Sequence, residues 1–144
     1  KHSANRAMIE GKRVLLVDDS IVRGTTSTKI VRMIKAAGAK EVHFRSASPP
    51  IKYPDHYGID MPTKDKLIAA NYSLEEMTHM LEVDSLGFLS IEGLYWARGE
   101  TYRAEDSPQY TDHCFTGCYP TPLIDRDRER AGGAKQLSFL VEVA

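Results

Sequence analysis

The fold is decided by one stretch of the sequence, Val14-Leu15-Leu16-Val17-Asp18-Asp19-Ser20-Ile21-Val22-Arg23-Gly24-Thr25-Thr26-Ser27. It begins as a short apolar run, passes through two adjacent carboxylates and opens into a hydroxyl-rich turn. Such a continuous apolar run is typical of a strand covered on both faces of a parallel sheet. We therefore predict a strand from Val14 to Val17. The polar residues then lie at its carboxyl end, where open α/β sheets bind ligands.

A helix is predicted directly after this turn. Its apolar positions recur with a period of 3.6 residues, and they are Ile30, Val31, Ile34 and Ala37. We expect Thr26 or Ser27 to cap its first turn and Gly38 to end it in the position after the C-cap. The polar stretch is thus predicted to be a strand-to-helix turn.

The start of this helix has the chemistry of a phosphate site. Unpaired backbone amides and the positive end of the helix dipole favour an anion there. The hydroxyls of Thr25, Thr26 and Ser27 add donors, and Gly24 lets the backbone approach the ligand closely. We expect these residues to bind a phosphate dianion.

Asp18 and Asp19 require a different ligand, because adjacent carboxylates repel by an amount on the order of a few kcal/mol. A hydrated Mg²⁺ together with the hydroxyls of a ribose would compensate them. The alternative is an Asx-type turn followed by an ordinary helix cap. A P-loop does not fit, since the second glycine of that pattern is absent and Lys29 lies inside the predicted helix.

The rest of the chain continues the alternation of strands and helices. Further strands are predicted at Glu41 to Ser46 and at Ser85 to Leu89, and the motif Ser73-x-x-Glu76 predicts a capping box for a helix through Leu81. Ser90 is expected to begin a short helix that ends at Gly99, with Ile91, Leu94 and Ala97 facing inward. This order predicts an α/β fold with a parallel sheet flanked by helices over residues 1–99, followed by an irregular C-terminal extension over residues 100–144. A short apolar run at Gln136 to Val143 is expected to be a strand or a docking tail.

The loop at residues 17–27 resembles the phosphoribosyl pyrophosphate loop of type I phosphoribosyltransferases. Most of them carry Thr-Gly where Arg23-Gly24 stands here. In this detail the loop is similar to the glutamine phosphoribosylpyrophosphate amidotransferase family. Two later motifs also resemble that family: Pro49-Pro50 followed by Tyr57-Gly58-Ile59-Asp60-Met61-Pro62, and Cys114-Phe115-Thr116-Gly117 followed by Tyr119-Pro120.

The resemblance implies the type I phosphoribosyltransferase fold and the transfer of glutamine-derived ammonia to phosphoribosyl pyrophosphate, the committed step of purine synthesis. It implies a substrate site made by Asp18, Asp19, Ser20, Arg23, Gly24, Thr25, Thr26 and Ser27, with Mg²⁺ on the two aspartates. Lys1 matches a lysine of the family's catalytic loop. The alternative is a non-catalytic module of this fold that binds phosphoribosyl pyrophosphate or a nucleotide.

The same resemblance implies that the 144 residues are a C-terminal fragment. Family members also have a glutaminase domain, which supplies the ammonia, and the first half of the transferase sheet. We therefore expect the fragment alone to be inactive. The family further implies a homo-oligomer and purine nucleotides as feedback ligands.

Some family members hold a four-iron cluster on four cysteines, and Cys114 matches one of these. Thr111 and Asp55 stand where two others are expected, so we predict no iron-sulfur cluster. Zinc on His113, Cys114 and Cys118 is a second hypothesis. It lacks an obvious fourth ligand, and two thiols in a loop are the simpler interpretation.

Composition narrows the class of protein further. The net charge of −1 gives no general electrostatic case for nucleic acid or a membrane surface, and no window approaches a transmembrane length. Two cysteines do not make a disulfide framework, and no signal peptide is seen, so we expect a cytoplasmic enzyme. Trp96 is expected to lie in a core or an interface. Residues 125–130 mix positive and negative charges and are expected to form a solvated turn.

Overall fold

A parallel three-stranded sheet forms the centre of the computed structural model, which describes residues 4–123. Its strands are β1 (Arg13–Asp18), β2 (Glu41–Ser46) and β3 (Ser85–Phe88), in the order β1-β2-β3. Val14 pairs in register with Val42, and Phe44 with Leu86. The predicted parallel α/β fold is confirmed, and the predicted strand positions agree with the structure to within one residue.

Six α-helices and one short 3₁₀ helix accompany these strands in the described residues. The helices are α1 (Arg6–Ile9), α2 (Thr25–Ala36), α3 (Ile68–Asn71), α4 (Leu74–Met80), α5 (Ile91–Ala97) and α6 (His113–Thr116), and the 3₁₀ helix is Lys64–Lys66. The sequence pattern predicted α2, α4 and α5. The four other helical segments are one turn long or less, too short for a period of 3.6 residues to be recognisable.

The core lies between one face of the sheet and the helices. Val31 and Ile34 of α2 are buried there together with Val42 and Phe44 of β2, as the predicted helical period requires. Ile21, Ile68, Ala69, Met77, Leu81, Val83 and Leu86 complete this cluster. The loop that follows β1 is therefore attached to the core through Ile21.

The prediction that β1 is covered on both faces is wrong for the described residues. Its side chains alternate, and Leu15 and Val17 are each 63% exposed. β1 lies at the edge of the sheet, and the neighbouring strand presents the polar side chains His43 and Arg45 on the same face. An apolar run alone does not distinguish an edge strand from a central one.

The prediction for the inward face of α5 is wrong at Ala97, while Ile91 and Leu94 are half-buried. Tyr95 is its buried residue, Ala97 is exposed, and Trp96 is 78% exposed rather than in a core. The reason lies outside the helix, because the Tyr95 hydroxyl donates to the buried Asp112 carboxylate at 2.9 Å. A helix of two turns is oriented by such a contact as readily as by its own apolar pattern.

None of the helices in residues 4–123 is long and apolar enough to cross a membrane. Lys1, the charged stretch at residues 125–130 and the apolar run at residues 136–143 lie outside the described residues, so the predictions made for them stay predictions. The domain boundary predicted at Glu100 also stays a prediction.

Candidate functional site

The polar loop after β1 is fixed at both ends by backbone hydrogen bonds. Asp18 O accepts from Ala47 N at 2.9 Å, next to the end of β2. Val22 O accepts from Ile68 N at 3.0 Å, and the Ile21 side chain between them is only 1% exposed. The loop is therefore held to a buried strand and to a buried helix.

Gly24, and not Thr26 or Ser27, is the residue at the N-cap of α2, so that prediction is wrong. Gly24 adopts a left-handed conformation with φ of +74°, and no side chain caps the helix. Thr28 donates to Gly24 O through both its amide and its hydroxyl, each at 2.9 Å. The glycine turns the chain into the helix two to three residues earlier than the hydroxyl pattern predicts.

As a consequence, the hydroxyl residues lie within the first turn of α2. Thr25 and Thr26 are exposed, whereas Ser27 is buried. The first amides of a helix have no partner within it, and here they belong to these residues. With the helix dipole, they form an arrangement suited to an anion that carries several oxygen acceptors.

Asp18 and Asp19 stand at the other end of the loop, half-buried and exposed respectively. Asp18 Oδ1 accepts from Asp19 N at 3.0 Å, and Asp19 Oδ1 accepts from the Ser20 hydroxyl at 3.4 Å. Among the described residues these bonds leave the Oδ2 atom of each carboxylate available. Adjacent carboxylate oxygens are the donor set that a hard divalent cation prefers, so the residues fit Mg²⁺.

An open cavity of about 630 Å³ brings the two ends of the loop together. All eight residues predicted as a substrate site line it: Asp18, Asp19, Ser20, Arg23, Gly24, Thr25, Thr26 and Ser27. Asp60 and Pro62 also line the cavity, and the site prediction missed both. Both residues belong to the motif at residues 57–62. The motif itself is visible in the sequence, but the sequence does not show that it lies beside the loop after β1.

Asp55 organises the chain just before that motif. Its Oδ2 atom accepts from the amides of Tyr57 and Ile59, both at 2.8 Å, and its Oδ1 atom accepts from His113 Nε2 at 2.6 Å. The Ile59 bond is the largest cause that lowers the pKa of Asp55, and the Tyr57 and His113 bonds act in the same direction against the effect of burial. Asp55 is thus a carboxylate that closes a turn.

Further hydrogen bonds join residues 112–121 to residues 52–57, and we call this junction the clasp. Lys52 N and Tyr53 N both donate to Cys114 O, at 2.9 and 3.1 Å. The Tyr119 hydroxyl donates to Pro54 O at 2.8 Å, and the Tyr57 hydroxyl donates to Thr121 O at 2.9 Å. The described part of the predicted extension is therefore packed against the loop that leads to the cavity.

The clasp also contains a possible metal-binding group. Asp55, His113 and Cys114 each offer a ligand atom within 4.8 Å of the others, and His113 Nδ1 is buried without a hydrogen-bond partner among the described residues. The zinc hypothesis named Cys118, which is exposed and does not belong to this group. It did not include Asp55, because 58 residues separate Asp55 from His113 in the sequence. Burial, and after it the charge of Asp55, raises the pKa of the Cys114 thiol. The prediction that no iron-sulfur cluster is held stays a prediction.

Comparison with known proteins gives a consistent set of similarities. A family model described as "phosphoribosyl transferase domain" matches residues 1–56. An amidophosphoribosyltransferase of Rhizobium etli is 63% identical over 141 residues, which are 97% of this chain and 28% of that protein. The chloroplastic amidophosphoribosyltransferase 1 of Arabidopsis thaliana is 47% identical over 92% of this chain and 23% of its own length.

A solved structure shows the same similarity in three dimensions. It is described as the glutamine phosphoribosylpyrophosphate amidotransferase from B. subtilis complexed with ADP and GMP. It is 51% identical in sequence and superposes with a TM-score of 0.75. The match covers 84% of this chain and 26% of the solved chain. The chain thus spans about a quarter of the length of the relatives it matches.

Proposed function

Because the chain belongs to the amidophosphoribosyltransferase family and spans a C-terminal portion of its phosphoribosyl transferase domain, we propose that it forms the phosphoribosyl-binding part of such an enzyme. The reaction joins ammonia to C1 of phosphoribosyl pyrophosphate. A C–N bond forms, the bond from C1 to the pyrophosphate oxygen breaks, and pyrophosphate leaves. The product is 5-phosphoribosylamine, the first intermediate of purine synthesis.

The 5-phosphate binds at the start of α2. Its oxygens accept from the first-turn amides and from the hydroxyls of Thr25 and Thr26. Gly24 has no side chain, so the backbone can approach the phosphate closely. The support for this assignment is the 12-residue helix that points its amino end into the cavity, where its first hydroxyl residues line the wall.

The ribose binds at the acidic end of the same cavity. Asp18 and Asp19 accept from its hydroxyls, and the same two carboxylates would hold Mg²⁺. When bound, this ion stabilises the charge of the departing pyrophosphate. The two carboxylates lie near the sugar and stabilise the positive charge that develops at C1. Ammonia is itself nucleophilic, so the attack needs no general base.

The partners we propose follow from the family. Ammonia comes from glutamine through a glutaminase domain, purine nucleotides act as feedback ligands, and the enzyme is a homo-oligomer in the cytoplasm. Lys1 contributes to closure over the substrate. The 144 residues alone, without pyrophosphate-side residues, bind ligand weakly and do not catalyse the transfer.

The observation that carries the proposal is the acidic pair that shares a cavity with a helix N-terminus. In the full-length protein, we expect Asp18→Asn and Asp19→Asn each to lower kcat for transfer from free ammonia by about 100-fold, a usual loss when one electrostatic contact to the transition state is removed. Hydrolysis of glutamine should continue in both variants. Phosphoribosylamine formation at saturating substrate is the measurement.

Asp106→Asn is the matched control, since Asp106 is exposed and does not line this cavity. Wild-type rates in both the Asp18 and the Asp19 variant would contradict the proposal. The acidic pair would then have only the structural role of an Asx-type turn. Tight binding of phosphoribosyl pyrophosphate by a wild-type protein that forms no product would instead support the non-catalytic binding module.

A further inference from the structure

Asp60 reaches the cavity from a separate part of the chain. Together with Pro62 it lines the cavity beside the strand-to-helix loop. In the described part of the chain, no hydrogen bond or ion pair ties the Asp60 carboxylate to that loop. Its position therefore depends on how its own segment of the chain is held.

The preceding residues form a turn closed by the Asp55 side chain. One carboxylate oxygen accepts from the amides of Tyr57 and Ile59, so the backbone is fixed up to the residue before Asp60. A carboxylate that accepts two backbone amides and one imidazole has little freedom to rotate. The turn thus restricts the positions that Asp60 can occupy.

His113 fixes the other oxygen of Asp55. The pair is deeply buried, with side chains that are 2% and 6% exposed, and Tyr57 packs edge-on against the His113 ring at 5.0 Å. Removal of either partner would leave a buried polar group unsatisfied, which makes a single geometry strongly favoured. The clasp therefore fixes the turn against α6.

The charge of Asp60 indicates which part of a substrate it meets. A third carboxylate in a cavity that already holds Asp18 and Asp19 repels phosphate oxygens. It attracts hydroxyl donors and a divalent cation, the groups that the acidic end of the cavity binds in the proposed function.

We propose that Asp60 is a further binding residue at the ribose and cation end of the site, and that the Asp55–His113 pair is a positioning pair that holds it there. The inference rests on the proposed function of the cavity. It assigns a role to the motif at residues 57–62 and to a buried pair that does not itself line the cavity.

The test is a double-mutant cycle in the full-length protein, with free ammonia as the nitrogen donor. We expect Asp60→Asn and Asp55→Ala each to raise KM for magnesium phosphoribosyl pyrophosphate about tenfold while kcat changes less than about twofold. Because Asp55 acts through Asp60, the double variant should bind no more weakly than Asp55→Ala alone. Asp106→Asn is the matched control.

Asp55→Asn separates positioning from general stability. Its amide oxygen can still accept from the Tyr57 and Ile59 amides, so this variant should recover most of the wild-type KM. Asp60 is exposed, so Asp60→Asn leaves the core unchanged. An unchanged KM in this variant overturns the inference, even if Asp55→Ala fails to fold. Additive effects in the cycle overturn it as well. A wild-type protein without transfer activity contradicts the proposed function itself, and the inference then falls with it.

Discussion

At Gly24 the backbone conformation and the packing both exclude a side chain. Its φ of +74° lies in the left-handed region, and a Cβ atom there would lie 3.0 Å from Ile68 Cδ1 and 3.2 Å from Leu81 Cδ2. Gly99 also has a positive φ, of +90°, but a Cβ atom at that position meets nothing within 4 Å. A comparison of the two positions therefore separates the cost of backbone strain from the cost of steric crowding.

We expect Gly24→Ala to destabilise the chain by about 2–4 kcal/mol, because backbone strain of about 1 kcal/mol is joined by overpacking of about 1–3 kcal/mol. Gly99→Ala should cost only about 1 kcal/mol. Urea unfolding of the two variants and of the wild type measures the difference. Equal losses in the two variants would show that the core around Ile68 and Leu81 yields without cost.

The Asp55 carboxylate gives stability a defined dependence on pH. Its pKa is lowered in the folded state, first by the Ile59 amide, so its contribution is present above its ordinary pKa and is lost as the pH falls through the folded value. We expect Asp55→Asn to be less stable than wild type at pH 7, by about 1–3 kcal/mol. The difference should shrink toward pH 3. Thermal unfolding at both pH values measures it, and a gap that widens on acidification would contradict this assignment.

At the scale of elements, helix α4 is the clearest case of a local sequence signal. Glu76 N donates to the Ser73 hydroxyl at 3.2 Å, and Ser73 N donates to the Glu76 carboxylate at 2.7 Å. Both bonds of a capping box are therefore present, as the motif predicted.

Ser73→Ala should destabilise the chain by about 1 kcal/mol, the usual cost of a lost N-cap. Urea unfolding of Ser73→Ala, Glu76→Ala and the double variant forms a cycle that measures the coupling of the two bonds. Ser73→Thr keeps the hydroxyl acceptor and serves as the control. A double variant whose loss equals the sum of the single losses would show that the two bonds act independently.

These elements show what the sequence could predict. A capping box and a strand such as Glu41–Ser46 are encoded within a few neighbouring residues, so their positions were predictable. The cap at Gly24 depends on Ile68 and Leu81, and the orientation of α5 depends on Asp112. For the same reason the positions of the loop residues that line the cavity follow from their own sequence, whereas the place of Asp60 beside them and the Asp55–His113 pair depend on contacts between distant segments.

At the scale of the whole molecule, one sheet face is incomplete in the described residues. Leu15 and Val17 are exposed on the edge strand, and an edge strand also presents unpaired backbone groups. An exposed apolar pair beside such an edge favours association with another chain.

We therefore expect the 144-residue chain to associate in solution, and a double variant with Leu15→Thr and Val17→Thr to shift it toward the monomer. Threonine keeps the strand propensity and removes the apolar surface. Light scattering over a range of concentrations measures the mass. Leu74→Gln, which removes an exposed leucine from α4, is the control. An unchanged mass in the double variant would place the contact elsewhere.

The clasp has a consequence for the order in which the protein is made. The amides of Ala47 and Ile68 hold the two ends of the loop after β1, so this loop is complete once the chain has been made through α3. Residues 112–121 emerge about 50 residues after Asp60, and only then can His113 reach Asp55 and Tyr119 reach Pro54. During synthesis the nascent chain thus carries the loop after β1 before the turn that leads to Asp60 is fixed. If the cavity has the proposed function, its competence to bind a substrate is a late event of translation.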